Sequence, residues 1–424
     1  MTDGSGLPPT RLDSAADSLW RFASVRGMDR RRFLLLMMAG GSAAVLAACL
    51  GTESPTATPP HTATPTTPAE GAAGPYFKDT APFIERDGKG LETRLENLQG
   101  LITPNRYFFV RNNSTSIGLE AEDWRLSVEG DAVSEPLELT YDDVRSLPSR
   151  TLISYLECAG NHRAMFNLLN GRETSGTQWT RGAISNGEWL GVTLRDVLTL
   201  AGIGDDAKSV LLVGLDTESP EEGFRYVLPA EKALHSDTLL AYALNGETLP
   251  KDHGFPLRAV VPGWVGSSHI KWLGRIVVSS EQLWTRNNTT SYTLIGDAYA
   301  PEGESMGKPV TEQVIKSALA LPWPAELAAG PRRIHGYAHS PAGPISRVEW
   351  SADSGLTWSA AELSGGQPDY SWARFEFEWD AAPGEFTITT RATDSAGNSQ
   401  PDHVPFNEKG YLFNQPLPHP VRVV

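Results

Sequence analysis

The 424-residue chain contains only two cysteines, Cys49 and Cys158. If the two have separate jobs, a disulfide framework is excluded, and so are an all-cysteine zinc site and a protein-held iron–sulfur cluster. No Cys-x-x-Cys-His run occurs, so these residues encode no covalent c-type haem. Positive charge is also short: 36 Lys and Arg stand against 51 Asp and Glu, a formal net charge of -15. That balance argues against nucleic acid as a partner. Long apolar runs are missing too, for the stretch from Leu34 to Ala48 falls short of the roughly 20 residues a membrane span needs. Glycine and proline are plentiful, 40 and 31, which points to a turn-rich and therefore β-rich chain. With 40% hydrophobic and 21% charged residues the composition is that of a soluble globular protein. The length leaves room for two or three domains whose cores need no disulfides.

The N-terminus reads as an export segment. Arg30-Arg31-Arg32-Phe33-Leu34 precedes the short apolar run, and paired arginines before Phe-Leu resemble a twin-arginine signal, which exports proteins already folded around a cofactor. Leu46-Ala47-Ala48-Cys49 resembles a bacterial lipobox, which would lipidate Cys49 and tether the mature protein to the outer face of the cell membrane. A plain signal or a short anchor helix is the alternative. The stretch before Met28 is long for such a segment, so Met1 and Met28 both stand as starts. We assign residues 1–49 to the signal. Residues 50–75, mostly Thr, Pro, Ala, Ser and Gly, bury too little apolar surface to offset their ordering entropy and are expected to be a disordered linker.

The remainder divides in two, and the predicted class is α+β. Over 76–307 short strands mix with helical patches. Trp124–Gly130 alternates like a strand ending in a turn, and Val210–Gly214 and Ile276–Ser279 look like buried strands. Leu139–Pro148 suits a short helix capped by Thr140 and stopped by Pro148, and Val192–Gly202 has helical spacing with Gly202 at its C-terminal end. Over 308–424 the segments Ile334–Ala338, Ile345–Trp350, Trp372–Trp379 and Phe386–Ala392 alternate between turn clusters, the pattern of an all-β immunoglobulin-like sandwich without a disulfide.

Two clusters carry possible chemistry. The first is Leu156-Glu-Cys-Ala-Gly-Asn-His-Arg163. A lone cysteine is usually an inert small hydrophobe, but here Asn161, His162 and Arg163 supply donors beside a possible thiolate, the metal-binding form. One cysteine can be the single protein ligand of a metal held mainly by an organic cofactor. The second cluster is Asp252-His-Gly-Phe-Pro-Leu-Arg258 followed by Val260 to Trp272, with His253, Arg258, His269 and Lys271 as cationic or donor groups. Its glycines would let backbone amides approach a phosphate; a Gly-rich loop beside a surface salt bridge is the equal alternative.

Together the clusters resemble the sulfite oxidase family of molybdopterin oxidoreductases. The matching stretches are Phe108-Phe-Val-Arg-Asn112, Glu157-Cys-Ala-Gly-Asn161, Gly182-Ala-Ile-Ser185 with Trp189 and Gly191, Asn245-Gly through Arg258, and Ser351-Ala-Asp-Ser-Gly-Leu-Thr-Trp358. The resemblance implies a molybdopterin-binding catalytic domain followed by a dimerisation domain, and Cys158 as thiolate ligand to molybdenum beside a dithiolene pterin. Pterin contacts would fall on Phe109, Val110, Arg111, Asn112, Asn113, Asp216, His253, Arg258, His269, Ile270 and Lys271. The catalytic anion pocket would comprise Arg111, Arg163, Trp179 and Tyr292 with Cys158. The implied activity is oxidation of a sulfite-like anion, with electrons passed to an external acceptor such as a cytochrome, in a homodimer. Reduction of oxidised sulfur compounds such as sulfoxides is the alternative within the enzyme class, and a non-catalytic surface-binding lipoprotein is the alternative outside it. Two departures stand out: Asn113 replaces the family's usual histidine, and Gln415, in Phe413-Asn-Gln415, falls where the family often has another substrate arginine after a Trp-Asn pair.

Overall fold

A computed structural model describes residues 75–424. The expected signal, its Cys49 and nearly all of the linker lie outside the described residues.

Two five-stranded sheets frame the first part. One runs Leu137–Thr140, Arg125–Glu129, Leu273–Ser279, Ser209–Gly214, Arg225–Pro229. Within it the strands expected around Val210 and Ile276 pair antiparallel with each other. The other runs Glu247–Thr248, Leu239–Leu244, Ile184–Thr193, Ser149–Glu157, with Arg258–Val260 also on Leu239–Leu244. Both sheets feed one large core that includes Leu126, Val128, Leu212, Ile276, Leu240 and Ala259. A three-stranded sheet of Phe83–Arg86, Gly90–Thr93 and Val110–Arg111 packs beside them.

Helices are few and short; among the described residues the longest α-helices, Ala164–Asn170 and Leu194–Leu200, have 7 residues each. The Thr140 cap forms as read: its hydroxyl accepts from Asp143 N–H while the Asp143 carboxylate accepts from Thr140 N–H, so two free amides of the helix Tyr141–Ser146 are satisfied. The second helical patch starts two residues later than its spacing implied. Val192 and Thr193 belong to a strand, whose ladder satisfies their backbone, and Thr193 caps the helix instead. Among the described residues no helix is long and apolar enough to cross a membrane.

The C-terminal part is two facing sheets. One runs Lys316–Leu319, Gly330–His339, Ala373–Ala381, Glu362–Ser364; the other runs Ala325–Leu327, His419–Val423, Gly384–Asp394, Ile345–Ser351, Ser359–Ala360. Alternate residues such as Ile334, Phe375 and Phe377 from one meet Val348, Ile388 and Val421 from the other in a shared core. All four alternating segments singled out above lie in these strands or, for Trp372, next to one. The two parts are welded rather than linked. Arg181 donates to the carbonyls of Leu319 and Leu321 at 2.8 Å each. The buried Lys316 ammonium sits 2.7 Å from the buried Glu157 carboxylate. The sandwich therefore braces the strand that leads directly into Cys158.

Candidate active site

Cys158 leaves the end of strand Ser149–Glu157 and begins a tight loop. Its N–H donates to Ala183 O at 2.9 Å and its carbonyl accepts from Asn161 N–H at 2.9 Å. Asn161 in turn spends its side chain on Glu157 and on Ala183 N–H. The loop is thus fixed by backbone bonds, and the half-buried thiol is left free. Two cavities meet at it. The first, ≈ 720 Å³, is lined by Phe109, Val110, Arg111, Asn112, Asn113, Cys158, Asp216, His253, Arg258, His269, Lys271 and Tyr292 among others. The second, ≈ 840 Å³, shares Arg111, Asn113, Cys158 and Tyr292 with it and adds Arg163 and Trp179. Every site residue expected from the sequence except Ile270 therefore lines one cavity or both. Ile270 is fully buried in the large hydrophobic core, where an apolar side chain is best placed; only its backbone serves the loop, accepting from Ala259 N–H at 2.8 Å. His269 also works differently from a free donor. Its Nδ1 accepts from Val261 N–H and its Nε2 faces Trp264 O, both at 3.3 Å, so its ring holds the loop together. Burial pushes it down to about 3, hence neutral.

The first cavity has an anion-shaped deficit. Its carboxylates are already served by the protein: Asp252 accepts from Phe77 and Lys78 N–H and from Ser116, and Asp216 accepts from Phe224 N–H, Ser114 and Ser219. Its donors are not. Arg111 Nη1, Arg258 Nε and Ser267 Oγ are buried without a hydrogen-bond partner. Leaving such groups unpaired costs about 1–3 kcal/mol each, more when charged. The two Nη atoms of Arg258 go to the carbonyls of His253 and His269, leaving Nε free, and burial holds its guanidinium down to about 9. Lys271 is pulled to about 7, first by burial and next by Arg258. An anion in the cavity would relieve both. Among the described residues no three His, Cys, Asp or Glu side chains are grouped to hold a metal by themselves. The wall therefore fits an anionic organic cofactor whose metal takes Cys158 as a protein ligand, and the donor set agrees with a molybdenum–pterin group.

The second cavity is a cationic vestibule. Arg163 lies in a slot between Gly160 and Gly176, where a Cβ on either would come within 2.6 and 2.7 Å of its guanidinium. Its Nε donates to Lys409 O and its Nη1 to Thr177 O, both at 2.7 Å. Trp179 is fully buried and its Nε1–H has no partner. Tyr292 follows a π-helical turn, Asn287–Ser291, and stacks on Tyr411 with ring centroids 5.7 Å apart. Burial raises both phenols, so both stay protonated.

Several lining residues were not legible from motifs. Gln415 is not one of them: its amide bonds Val404 N–H and Asp402 O instead. Lys409, two residues after the pair Phe406-Asn407, lines the vestibule with Tyr411 and Arg286. The vestibule thus holds four cationic side chains, Arg111, Arg163, Arg286 and Lys409.

Comparison with known proteins gives the same partition. Residues 113–286 match the model of the oxidoreductase molybdopterin binding domain and residues 307–419 that of the Mo-co oxidoreductase dimerisation domain. The chain is 36% identical over 333 residues to mitochondrial sulfite oxidase of Mus musculus, a match covering 74% of this chain and 60% of that protein. It is 35% identical over 329 residues to sulfite oxidase of Gallus gallus, covering 73% of this chain and 71% of that one. Among solved structures it is similar to the sulfane dehydrogenase SoxCD from Paracoccus pantotrophus, with TM-score 0.70 and 30% identity over 79% of this chain and 86% of that one. The chain spans about 60% of the length of the mammalian relatives it matches.

Proposed function

Because the chain belongs to the sulfite oxidase family of molybdopterin-dependent oxidoreductases, we propose that it oxidises a small sulfur oxyanion, sulfite first among candidates, and passes the electrons to an external carrier such as a cytochrome. The observation that carries this reading is the junction of the two cavities at Cys158, one with unpaired donors suited to an anionic cofactor and the other with cations suited to an anionic substrate. Arg258, Lys271, His253, Ser267 and Asp216 would hold the cofactor, with Phe109, Val110, Asn112 and Asn113 along its edge and Cys158 as metal ligand. Bound there, a molybdenum–molybdopterin group supplies two-electron, oxygen-atom-transfer chemistry.

The protein's own part is capture and orientation. Arg111, Arg163 and Lys409 draw a divalent anion into the vestibule and offset its desolvation. The unpaired Trp179 N–H and the protonated Tyr292 hydroxyl supply neutral donors whose positions are fixed by packing. Tyr411 and Phe224 wall the vestibule and limit water. The sulfoxide reductase reading is not favoured beside sulfite oxidase relatives, and an oxidoreductase domain does not suit a non-catalytic surface protein.

We also read the two-sheet C-terminal part as an immunoglobulin-like unit through which two chains pair. Export and a lipid on Cys49 remain our reading of residues 30–49. The function is tested by supplying the molybdenum-loaded protein with sulfite, thiosulfate and dimethyl sulfoxide, together with one-electron acceptors or donors. Sulfite-dependent acceptor reduction with sulfate formation supports the reading; sulfoxide-dependent donor oxidation without sulfite turnover overturns it.

A further inference from the structure

Behind His253, which lines the cofactor cavity, stands the half-buried Lys78. The segment carrying Lys78 is pinned by its own backbone: the N–H groups of Phe77 and Lys78 donate to the Asp252 carboxylate at 3.1 and 2.8 Å. Asp252 precedes His253, so the same loop receives the backbone and the side chain of this segment. Lys78 Nζ has three partners: Asn105 O at 2.9 Å, Phe108 O at 2.8 Å and His253 Nε2 at 2.9 Å.

We propose that Lys78 is a positioning residue that fixes His253 as the neutral tautomer carrying its proton on Nδ1, so that His253 meets an anionic cofactor as a hydrogen-bond donor. An ammonium has three protons and no lone pair. Two go to the carbonyls, and the third points at His253 Nε2, which must then be the bare nitrogen. His253 is neutral, because burial first, and Lys78, Lys271 and Arg258 next, hold it well below the ordinary histidine range. A neutral imidazole with a bare Nε2 carries its one proton on Nδ1. That nitrogen has no hydrogen-bond partner among the described residues, on a side chain that lines the cavity. The ring cannot turn freely, since it packs edge-on to Phe108 at 5.1 Å and its carbonyl is held by Arg258 at 2.9 Å.

Burial pulls Lys78 down to about 7 and the Asp252 carboxylate opposes it. An anion in the adjoining cavity adds to Asp252 and favours the ammonium. If the amine were neutral, its lone pair would instead accept from Nε2–H, and the free Nδ1 would offer a lone pair to the cofactor. The two states give opposite hydrogen-bond polarity at the same atom, so the tautomer decides the question.

The inference rests on the proposed cofactor, whose anionic charge favours the Lys78 ammonium and thereby the tautomer. The test is nitrogen NMR of the full chain labelled at histidine, with the His253 signals assigned by His253→Gln. The expected result is a protonated Nδ1 and a bare Nε2. A protonated Nε2 in the molybdenum-loaded protein overturns the inference. In Lys78→Met, loss of the donor should let Nε2–H become populated and should lower molybdenum content, since His253 would then face the anionic cofactor with a lone pair. An unchanged tautomer with full occupancy in Lys78→Met overturns it as well. Absence of molybdenum from the unaltered protein would instead overturn the cofactor reading.

Discussion

Arg163 separates recognition of the anion from bracing of the loop, and both effects can be worked from the structure. Its guanidinium gives one proton to Lys409 O and one to Thr177 O, and its Cζ lies 4.9 Å from the centre of the Tyr411 ring. Arg163→Met removes both bonds. Thr177 O keeps a second donor, Trp179 N–H at 2.9 Å, so the larger loss is at Lys409 O. With charged hydrogen bonds worth about 1.5–3 kcal/mol, the expected destabilisation is about 2–4 kcal/mol. Loss of a charged contact to a partly desolvated anion costs about 2–5 kcal/mol. At 1.36 kcal/mol per decade this lowers kcat/KM for sulfite at least about tenfold. Arg163→Lys keeps the charge, but a single nitrogen cannot serve two carbonyls that a planar fork spans. It should therefore recover less than half of the lost stability and little of the lost rate. The assay is sulfite turnover normalised to bound molybdenum, beside thermal unfolding of the same samples. Normal kcat/KM per bound molybdenum in Arg163→Met, with a lowered Tm, would refute the recognition role and leave Arg163 only a brace.

Lys316→Met should lower stability by about 3–5 kcal/mol, because it strands the buried Glu157 carboxylate without its cation; a Tm within a degree of the parent would contradict the weld between sandwich and cysteine loop. Lys409→Gln should raise KM for sulfite about tenfold and lower the Tm modestly, since its half-buried ammonium also donates to Thr290 O and Ser291 O; an unchanged KM would remove it from the anion pocket. Gly182→Ala should fail to fold or lose its cofactor site, because a Cβ there would sit 1.8 Å from Thr93 O; a normal circular dichroism spectrum and Tm would contradict this. Acid should destabilise the fold through histidines buried in neutral form. His269 and His419 are held at about 3 and His339 at about 4, against 6.5 when exposed. The unfolded chain thus binds more protons below the unfolded value, so stability is full above 6.5 and falls as pH drops toward 4; a Tm flat across that range would refute the assignment.

Much of this was legible in local sequence. The capping box at Thr140 and the alternating strands of the sandwich need only neighbours to form, so their residues announce them. The Cys158 loop and the loop from Asp252 to Trp272 are contiguous, and Cys158, Asp252, His253, Arg258, His269 and Lys271 line one cavity, with Arg163 on the adjoining one; Asn161 and His162 instead face Lys316 and His339. What local sequence could not carry was long-range assembly. Lys409 and Tyr411 reach the vestibule from a C-terminal segment, and Lys78 reaches His253, on the cofactor cavity, from 175 residues away. Each is an ordinary lysine or tyrosine until the fold delivers it. Ile270 erred in the other direction. The family resemblance implied a contact there, but its apolar side chain goes to the core while those of His269 and Lys271 line the cavity.

Molybdenum stoichiometry in protein purified from a molybdenum-competent host, measured in the unaltered chain and in Cys158→Ser, tests the central claim most directly. The account predicts roughly one molybdenum per chain in the unaltered protein and a large loss with serine, because a hydroxyl is a poor ligand for a soft metal and resists deprotonation. The Tm of the metal-free proteins should be nearly equal, since the thiol is free and the loop is held by backbone bonds. Equal molybdenum content and equal sulfite turnover in the two proteins would contradict it.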